Sequence, residues 1–270
     1  MRQLTRKGGF PVASTEKKPK NDPLMVRSVE KAFRVLSAFD ADRPAMSLSQ
    51  IASVTELDMS AAQRFTHTLV KLGYLAKNPD TRQFELTVRT LDLGYHFTRS
   101  NRLVERAIPY LLHLSKETEE TVNLTIPDDT EVVFVSRFLS RHVLNTDVII
   151  GTRLPAYCTA PGLAILSRLP EDEARDIVRR SDLKPHTPHT VWDIATVMER
   201  VDEAAQTGFG IACEEIYHGD GSVAAAIVDT GGRPIAAINI ATSLARYSRE
   251  EMVERFAPLV VAAARSLSKI

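Results

Sequence analysis

Cysteine is nearly absent from this chain of 270 residues. Cys158 and Cys213 stand far apart without CxxC spacing, so neither a disulfide framework nor a zinc ribbon is available, and a reducing cytoplasm fits. Long apolar runs are missing too. None approaches the roughly 18 residues that a membrane helix needs, so no membrane partner is expected. The opening stretch MRQLTRKGGFPVASTEKKPK is basic but lacks the apolar segment of about 7 to 15 residues that marks a secretory signal. Residues 1–24 therefore read as a disordered basic arm. Cofactor and metal motifs are also lacking. GDGS and DTGG are followed by no GK[ST], and His186 and His189 in PHTPH have no Cys, Asp or Glu at metal-ligating spacing. Cys158 with His142 or His189, and Cys213 beside Glu214, are candidates for a nucleophilic site or a metal cluster. A catalytic cysteine needs a base in reach and an electropositive pocket, and the spacing shows neither. No enzyme is expected.

Hydrophobic residues at 44% and charged residues at 25% instead describe a soluble globular protein of one large or two modest domains. The zero net charge hides an asymmetry. Residues 1–100 carry 16 Lys and Arg against 10 Asp and Glu, whereas the remainder carries 18 against 24. A basic front end beside an acidic remainder suggests that only the first part meets a polyanion.

That front end has a recognisable order. SVEKAFRVLSAF, residues 28–39, begins with Ser28 as a helix cap and places Val29, Ala32, Phe33, Leu36 and Phe39 on one face. SLSQIASVTEL opens a short second helix, with Ser47 and Gln50 at the spacing of a capping box. A third helix over 60–72 stops at Gly73 and carries a stripe of Ala62, Phe65, Leu69 and Leu72. Its other face holds Ser60, Gln63, Arg64, His67 and Lys71, with no carboxylate. Two short extended runs around NPDTR then make a hairpin containing Lys77 and Arg82.

Three helices and a hairpin form a winged helix-turn-helix, in which the third helix enters the major groove of double-stranded DNA. Arg64 suits guanine and Gln63 adenine, Ser60, His67 and Lys71 suit phosphates, and Ser47, Lys77 and Arg82 complete the expected DNA-binding set. Beyond this unit, LTVRTLDLGYHFTRSN (86–101) reads as a linker helix with Val88, Leu91 and Tyr95 at helical spacing. The rest is mixed: a helix containing Pro109, extended runs TVNLTI, EVVFVSRFL and HVLNTDVII, three further helices, strands in GFGIACEE, SVAAAIVD and IAAINIAT, and a closing helix over 248–269.

Several of these pieces occur in a known order. RSVEKAFRVL, SLSQIA, LVKLGYL, GTRLPAYCTAPG, GFGIACEE and VAAAIVDTGGRPIAAINIA together resemble the IclR family of bacterial transcriptional regulators, over nearly all of 26–270. GTRLPAYCTAPG is most similar to the branch controlling β-ketoadipate and 4-hydroxybenzoate breakdown. The resemblance implies a GAF-like, six-stranded antiparallel effector domain, a homodimer through the amino-terminal part, and tetramers as dimers of dimers. It also implies a ligand pocket containing Tyr157, Cys158, Thr159, Ala160, Pro161, Ser222 and Asn239. Met59, Ala61, Ala62, Ala212 and Ala241 depart from the residues usual in the family at these sites.

Independently of the resemblance, Thr159, Ala160 and Pro161 stand at a helix start, where amides and the helix dipole suit the carboxylate of a small organic acid effector. Thr159 equally fits a plain cap, and Tyr157 and Cys158 fit core packing. Arg137, Arg141 and His142 are candidate cations for such an acid, or ordinary surface charges. The expectation is an α+β protein with a winged helix-turn-helix at 25–87, a linker helix at 88–101 and an effector domain at 102–270. Its function would be ligand-responsive regulation of operator DNA, with signalling through a protein partner as the rival reading.

Overall fold

The computed structural model describes residues 22, 24–142 and 148–268, so the expected basic arm lies almost wholly outside the described residues. The chain divides into two compact units at Phe97/Thr98.

In the first unit, α1 (Arg27–Leu36) starts from Val26 with no side-chain cap. Ser28 lies inside the first turn rather than at the cap. Glu30 braces the turn through Arg27 (3.0 Å) and Arg34 (3.1 Å). The buried side of this segment is Val35, Ala38 and Phe39, whereas Val29 and Phe33 are 51% and 55% exposed, contrary to the expected inward stripe. Helix α2 (Leu48–Val54) has the full capping box: Ser47 accepts from the Gln50 amide, and the Gln50 side chain accepts from the Ser47 amide.

Helix α3 (Met59–Lys71) is capped by Asp58, which accepts from the Ala61 amide at 2.8 Å. It turns inward on Ala62, Thr66 and Leu69, with Phe65 half-buried; Leu72, expected in the stripe, is 53% exposed. Thr66 replaces it because its hydroxyl donates to the Ala62 carbonyl at 2.8 Å, leaving nothing polar unpaired in the core. Gly73 adopts φ +81°, a region that L-residues avoid, and ends the helix. Strands β1 (Ala45–Met46), β2 (Leu75–Lys77) and β3 (Phe84–Leu86) form an antiparallel sheet in the order β1-β3-β2. The two-residue β1 is too short to show alternation in sequence.

The expected linker helix begins as a 3₁₀ turn at Val88–Thr90 and continues as an α-helix, α4 (Leu91–Ser100). Asn101 then caps α5 (Arg102–Thr118), accepting from the Leu103 and Val104 amides. Pro109 is tolerated within α5.

The second unit is built on a six-stranded antiparallel sheet. Its strands are β4 (Thr121–Asp128), β5 (Glu131–Phe138), β6 (Arg153–Pro155), β7 (Gly210–Cys213), β8 (Asp220–Val228) and β9 (Pro234–Ser243), in the order β6-β5-β4-β9-β8-β7. The extended run expected at HVLNTDVII falls mostly outside the described residues, and its described end is not strand. Arg153–Pro155 takes the place beside β5, with Arg153 bonded to Glu131 (2.7 Å) and Asp128. One sheet face packs on α5 and α9 (Arg249–Ser268) around Leu111, Leu124, Val223, Ile238, Met252 and Phe256.

The other face receives α6 (Ala160–Leu166), with α7 (Glu171–Arg180) and α8 (Ile194–Thr207) outside it. Gly208, at φ +84°, ends α8 as its sequence implied. All seven residues of α6 are buried. A Cβ at Gly162 would fall 2.1 Å from the Ala156 carbonyl oxygen, so only glycine lets α6 start this close to the preceding turn. Gly162→Ala should lower unfolding stability by about 1–3 kcal/mol. A chemical-denaturation midpoint equal to the wild type would contradict that packing.

Candidate functional site

Two places concentrate exposed or buried polar chemistry. The first is the outer face of α3. Positions 60, 63, 64, 67 and 71 recur at helical spacing, so burying Ala62, Thr66 and Leu69 turns Ser60, Gln63, Arg64, His67 and Lys71 to solvent together. Among the described residues, Arg64 and Lys71 form no ion pair. Asp58, the nearest carboxylate in sequence, is held in the cap. In the hairpin, the Lys77 ammonium lies 5.3 Å from the Phe84 ring centre. Asn78 shapes the turn by accepting from the Asp80 and Thr81 amides, and Arg82 adopts φ +58° at its exit. Both basic residues are exposed.

Ser47 is placed differently. Its hydroxyl belongs to the capping box of α2, on a separate helix from the other five donors. Of the positions that depart from the family, Met59 is exposed, Ala61 half-buried and Ala62 buried, so Ala62 does not belong to the outer face.

The second place is a cavity between the sheet and α6, with about 550 Å³ of empty space including its open side. Alternation along the strands builds it. Arg137 on β5 stands opposite Asn123 on β4, which stands opposite Asn239 on β9. Ser222 and Asp220 follow on β8. The Arg137 guanidinium donates to Asn123 Oδ1 (3.1 Å), Asn239 Nδ2 donates to Ser222 Oγ (2.9 Å), and Ser222 Oγ donates to the Ile240 carbonyl (3.2 Å). A polar diagonal thus crosses four strands, flanked by the small side chains of Ala212 and Ala241.

Cys158, Thr159, Ala160, Pro161, Ser222 and Asn239 all line this cavity. Tyr157 does not. It is fully buried on the far side of the short 3₁₀ turn Ala156–Cys158, where its hydroxyl donates to the Lys184 carbonyl at 2.9 Å. With three residues per turn, neighbours in such a helix point in different directions, which separates Tyr157 from Cys158.

The start of α6 offers an anion less than its sequence suggested. Pro161 has no N–H, and the Gly162 amide is already bonded to Thr159 Oγ1, which itself donates to the Pro155 carbonyl. Of the three candidate cations only Arg137 reaches the cavity; Arg141 and His142 are exposed elsewhere.

Three carboxylates line the cavity, of which sequence singled out only Glu214, beside Cys213. Glu215 is held by Arg200 at 2.6 and 2.8 Å. Glu214 accepts from the Gly219 amide (2.8 Å) and lies 3.6 Å from His189. Asp220, hidden in a GDG sequence that reads as a plain turn, has Oδ1 buried without a hydrogen-bond partner. Asn123, inside an apolar strand, was the more legible signal. Burial pushes the Cys158 and Cys213 thiols upward, away from the thiolate that nucleophilic chemistry requires. Among the described residues, no group of three or more His, Cys, Asp or Glu is arranged to hold a metal ion, and no helix is long and apolar enough to cross a membrane.

Burial also pushes the Asp220 carboxyl up to about 7, against the opposing pull of the Arg137 guanidinium. The folded carboxyl keeps its proton to higher pH than the unfolded one, near 3.8. Its stabilising contribution is therefore complete below the unfolded value and is lost as pH rises through about 7. Between pH 5 and 7 the wild type should lose stability by at most about 1.4 kcal/mol per pH unit through this group. Asp220→Asn should flatten that slope in urea melts, and identical slopes would contradict the assignment.

Comparison with known proteins places these features in a common setting. The family described as the IclR helix-turn-helix domain matches residues 28–79, and that described as the bacterial transcriptional regulator IclR C-terminal matches residues 95–269. The chain is 31% identical to the Pca regulon regulatory protein of Pseudomonas putida, over 91% of this chain and 84% of that protein. A solved transcriptional regulator of Rhodococcus sp. RHA1 superposes with a TM-score of 0.79 at 33% identity, covering 91% of this chain and 98% of the other. An IclR homolog from Microbacterium hydrocarbonoxydans, solved with 4-hydroxybenzoate, shares the fold with a TM-score of 0.75 at 24% identity, over 90% and 98% of the two chains. With both domain families matched in order, the chain belongs to the IclR family of bacterial transcriptional regulators and is a ligand-responsive, DNA-binding protein.

Proposed function

We propose that the chain binds palindromic operator DNA as a homodimer in the cytoplasm, each copy laying α3 in a major groove, with half-sites about one DNA turn apart. The carboxylate-free outer face of α3 carries this reading. A guanidinium at Arg64 and an amide at Gln63 suit base edges, while Ser60, His67 and Lys71 suit phosphates. Lys77 and Arg82 extend the basic surface to the wing. Ser47 acts by holding α2 in place.

The homodimer is supported by apolar side chains left in solvent in the first unit: Val29 and Phe33 on α1, then Leu91, Tyr95 and Phe97 on α4. A lone soluble domain rarely exposes so many large apolar groups, and a second copy would cover them. Pairs of dimers would assemble through the effector units. The residue ranges 25–87, 88–101 and 102–270 remain our functional division into reading domain, linker and effector domain.

The effector is a small organic acid, aromatic or dicarboxylic, held in the cavity at Arg137, Ser222 and Asn239. The 4-hydroxybenzoate bound to the Microbacterium protein supports an aromatic member of that class. Binding acts by favouring one arrangement of the dimer over another, since equal affinity for both would shift nothing. We assign the chain no catalytic step.

Arg64→Ala should cost about 1–3 kcal/mol on the specific operator and relax base preference, whereas Lys71→Ala should weaken all sequences alike and reduce the salt slope by about one. Fluorescence anisotropy on the operator and a scrambled duplex at several salt concentrations measures both. Unchanged operator binding in the two variants would refute the assigned face. Ser222→Leu combined with Asn239→Leu should abolish the response of DNA binding to the acid while leaving DNA affinity intact. A normal response would move the ligand elsewhere.

A further inference from the structure

The charged groups lining the effector cavity are unequal in what they already hold. Glu215 is saturated by Arg200 and by the Val191 amide. Glu214 is occupied by the Gly219 amide. Asp220 differs, because its buried Oδ1 has no hydrogen-bond partner, and Asn239 Oδ1 is in the same condition. Two buried acceptors without donors are costly unless a ligand supplies the donors. The guanidinium of Arg137 enters from β5, on the other side of β4 and β9 from Asp220 on β8. One end of the polar diagonal is therefore cationic, and the other presents acceptors.

We infer that Asp220 is the specificity-determining residue of the cavity: it selects a monocarboxylic acid whose far end donates a hydrogen bond, and it rejects a second carboxylate. This rests on the acid-effector reading and narrows it, since that reading admits both hydroxy acids and dicarboxylic acids. With its single carboxylate at Arg137, such a ligand turns a hydroxyl toward Asp220 and Asn239 and satisfies both free acceptors. Above about pH 7, where Asp220 has lost its proton, a dicarboxylate brings a second negative charge against it in a space already lined by Glu214 and Glu215. Like charges in a poorly solvated pocket repel strongly, and neither Asp220 nor Asn239 Oδ1 gains a donor.

Neither Ser222 nor Asn239 can make this distinction alone. Their mutual hydrogen bond uses one of the two Asn239 amide protons and one lone pair of Ser222 Oγ, and the Ser222 proton goes to Ile240. A neutral amide accepts a hydroxyl without repelling a carboxylate as strongly as a negative charge does. The buried carboxylate supplies that repulsion.

Calorimetric titration of the full-length protein at pH 8, above the value to which burial pushes Asp220, tests the inference. The probes are two matched series: benzoate, 4-hydroxybenzoate and terephthalate, then hexanoate, 6-hydroxyhexanoate and adipate. In whichever series binds, the wild type should prefer the hydroxy acid to the unsubstituted acid by at least about tenfold, with the dicarboxylate weakest. Asp220→Asn and Asp220→Ala should each erase most of the hydroxyl preference and tighten the dicarboxylate by about tenfold or more.

A wild type that favours the dicarboxylate overturns the inference by itself, even if neither variant folds. So does a wild-type ranking that both variants keep with thermal midpoints intact, and in these two cases the acid-effector reading stands. No binding by either series refutes that reading and the inference with it.

Discussion

Alternation along the central strands assigns each residue to one of two faces, and both faces of the second unit depend on it. Val122, Leu124, Val223, Ile238 and Ile240 turn toward α5 and α9 and make a dry core. The residues between them, Asn123, Ser222 and Asn239, must then turn the other way. A slip of one residue would bury the amides among leucines and empty the cavity of its polar groups. The cooperative burial that holds the sheet together therefore also holds the register of the site.

That site combines small and polar side chains for one physical reason. Ala160, Ala164 and Ala224 let α6 come close to β8, and Gly162 lets it begin against the preceding turn. Close approach dries the region, which raises the cost of every buried polar atom without a partner. Most such atoms are satisfied within the protein. On the cavity wall, Asp220 Oδ1, Asn239 Oδ1 and Asn123 Nδ2 are among the exceptions, and the two acceptors carry the preference inferred above.

The first unit separates packing from reading more simply. Thr66 enters its core because a helical hydroxyl can satisfy itself on the carbonyl four residues back. This rotates the helix so that Leu72 is exposed and the five donors of α3 share the opposite side. Val29, Phe33 and much of α4 are exposed, and a second copy is the covering that the proposed function supplies.

Local signals were legible where a short stretch of chain suffices to determine them. The Ser47–Gln50 capping box, the stop at Gly73, the end of α8 at Gly208 and the hairpin around residues 78–82 follow from turn and cap chemistry that operates within a few residues. The outer face of α3 was readable because helical period alone groups its donors. Other outcomes required the fold. Helical period puts Val29 and Phe33 on the apolar face of α1 but does not say how much of that face the unit itself covers. It did not separate Tyr157 from Cys158, because a three-residue turn shows no period. Nor did sequence distinguish Asp220 from an ordinary turn aspartate. Its exceptional character comes from being buried on a cavity wall three strands from Arg137, and burial is a property of neighbours that lie far away along the chain.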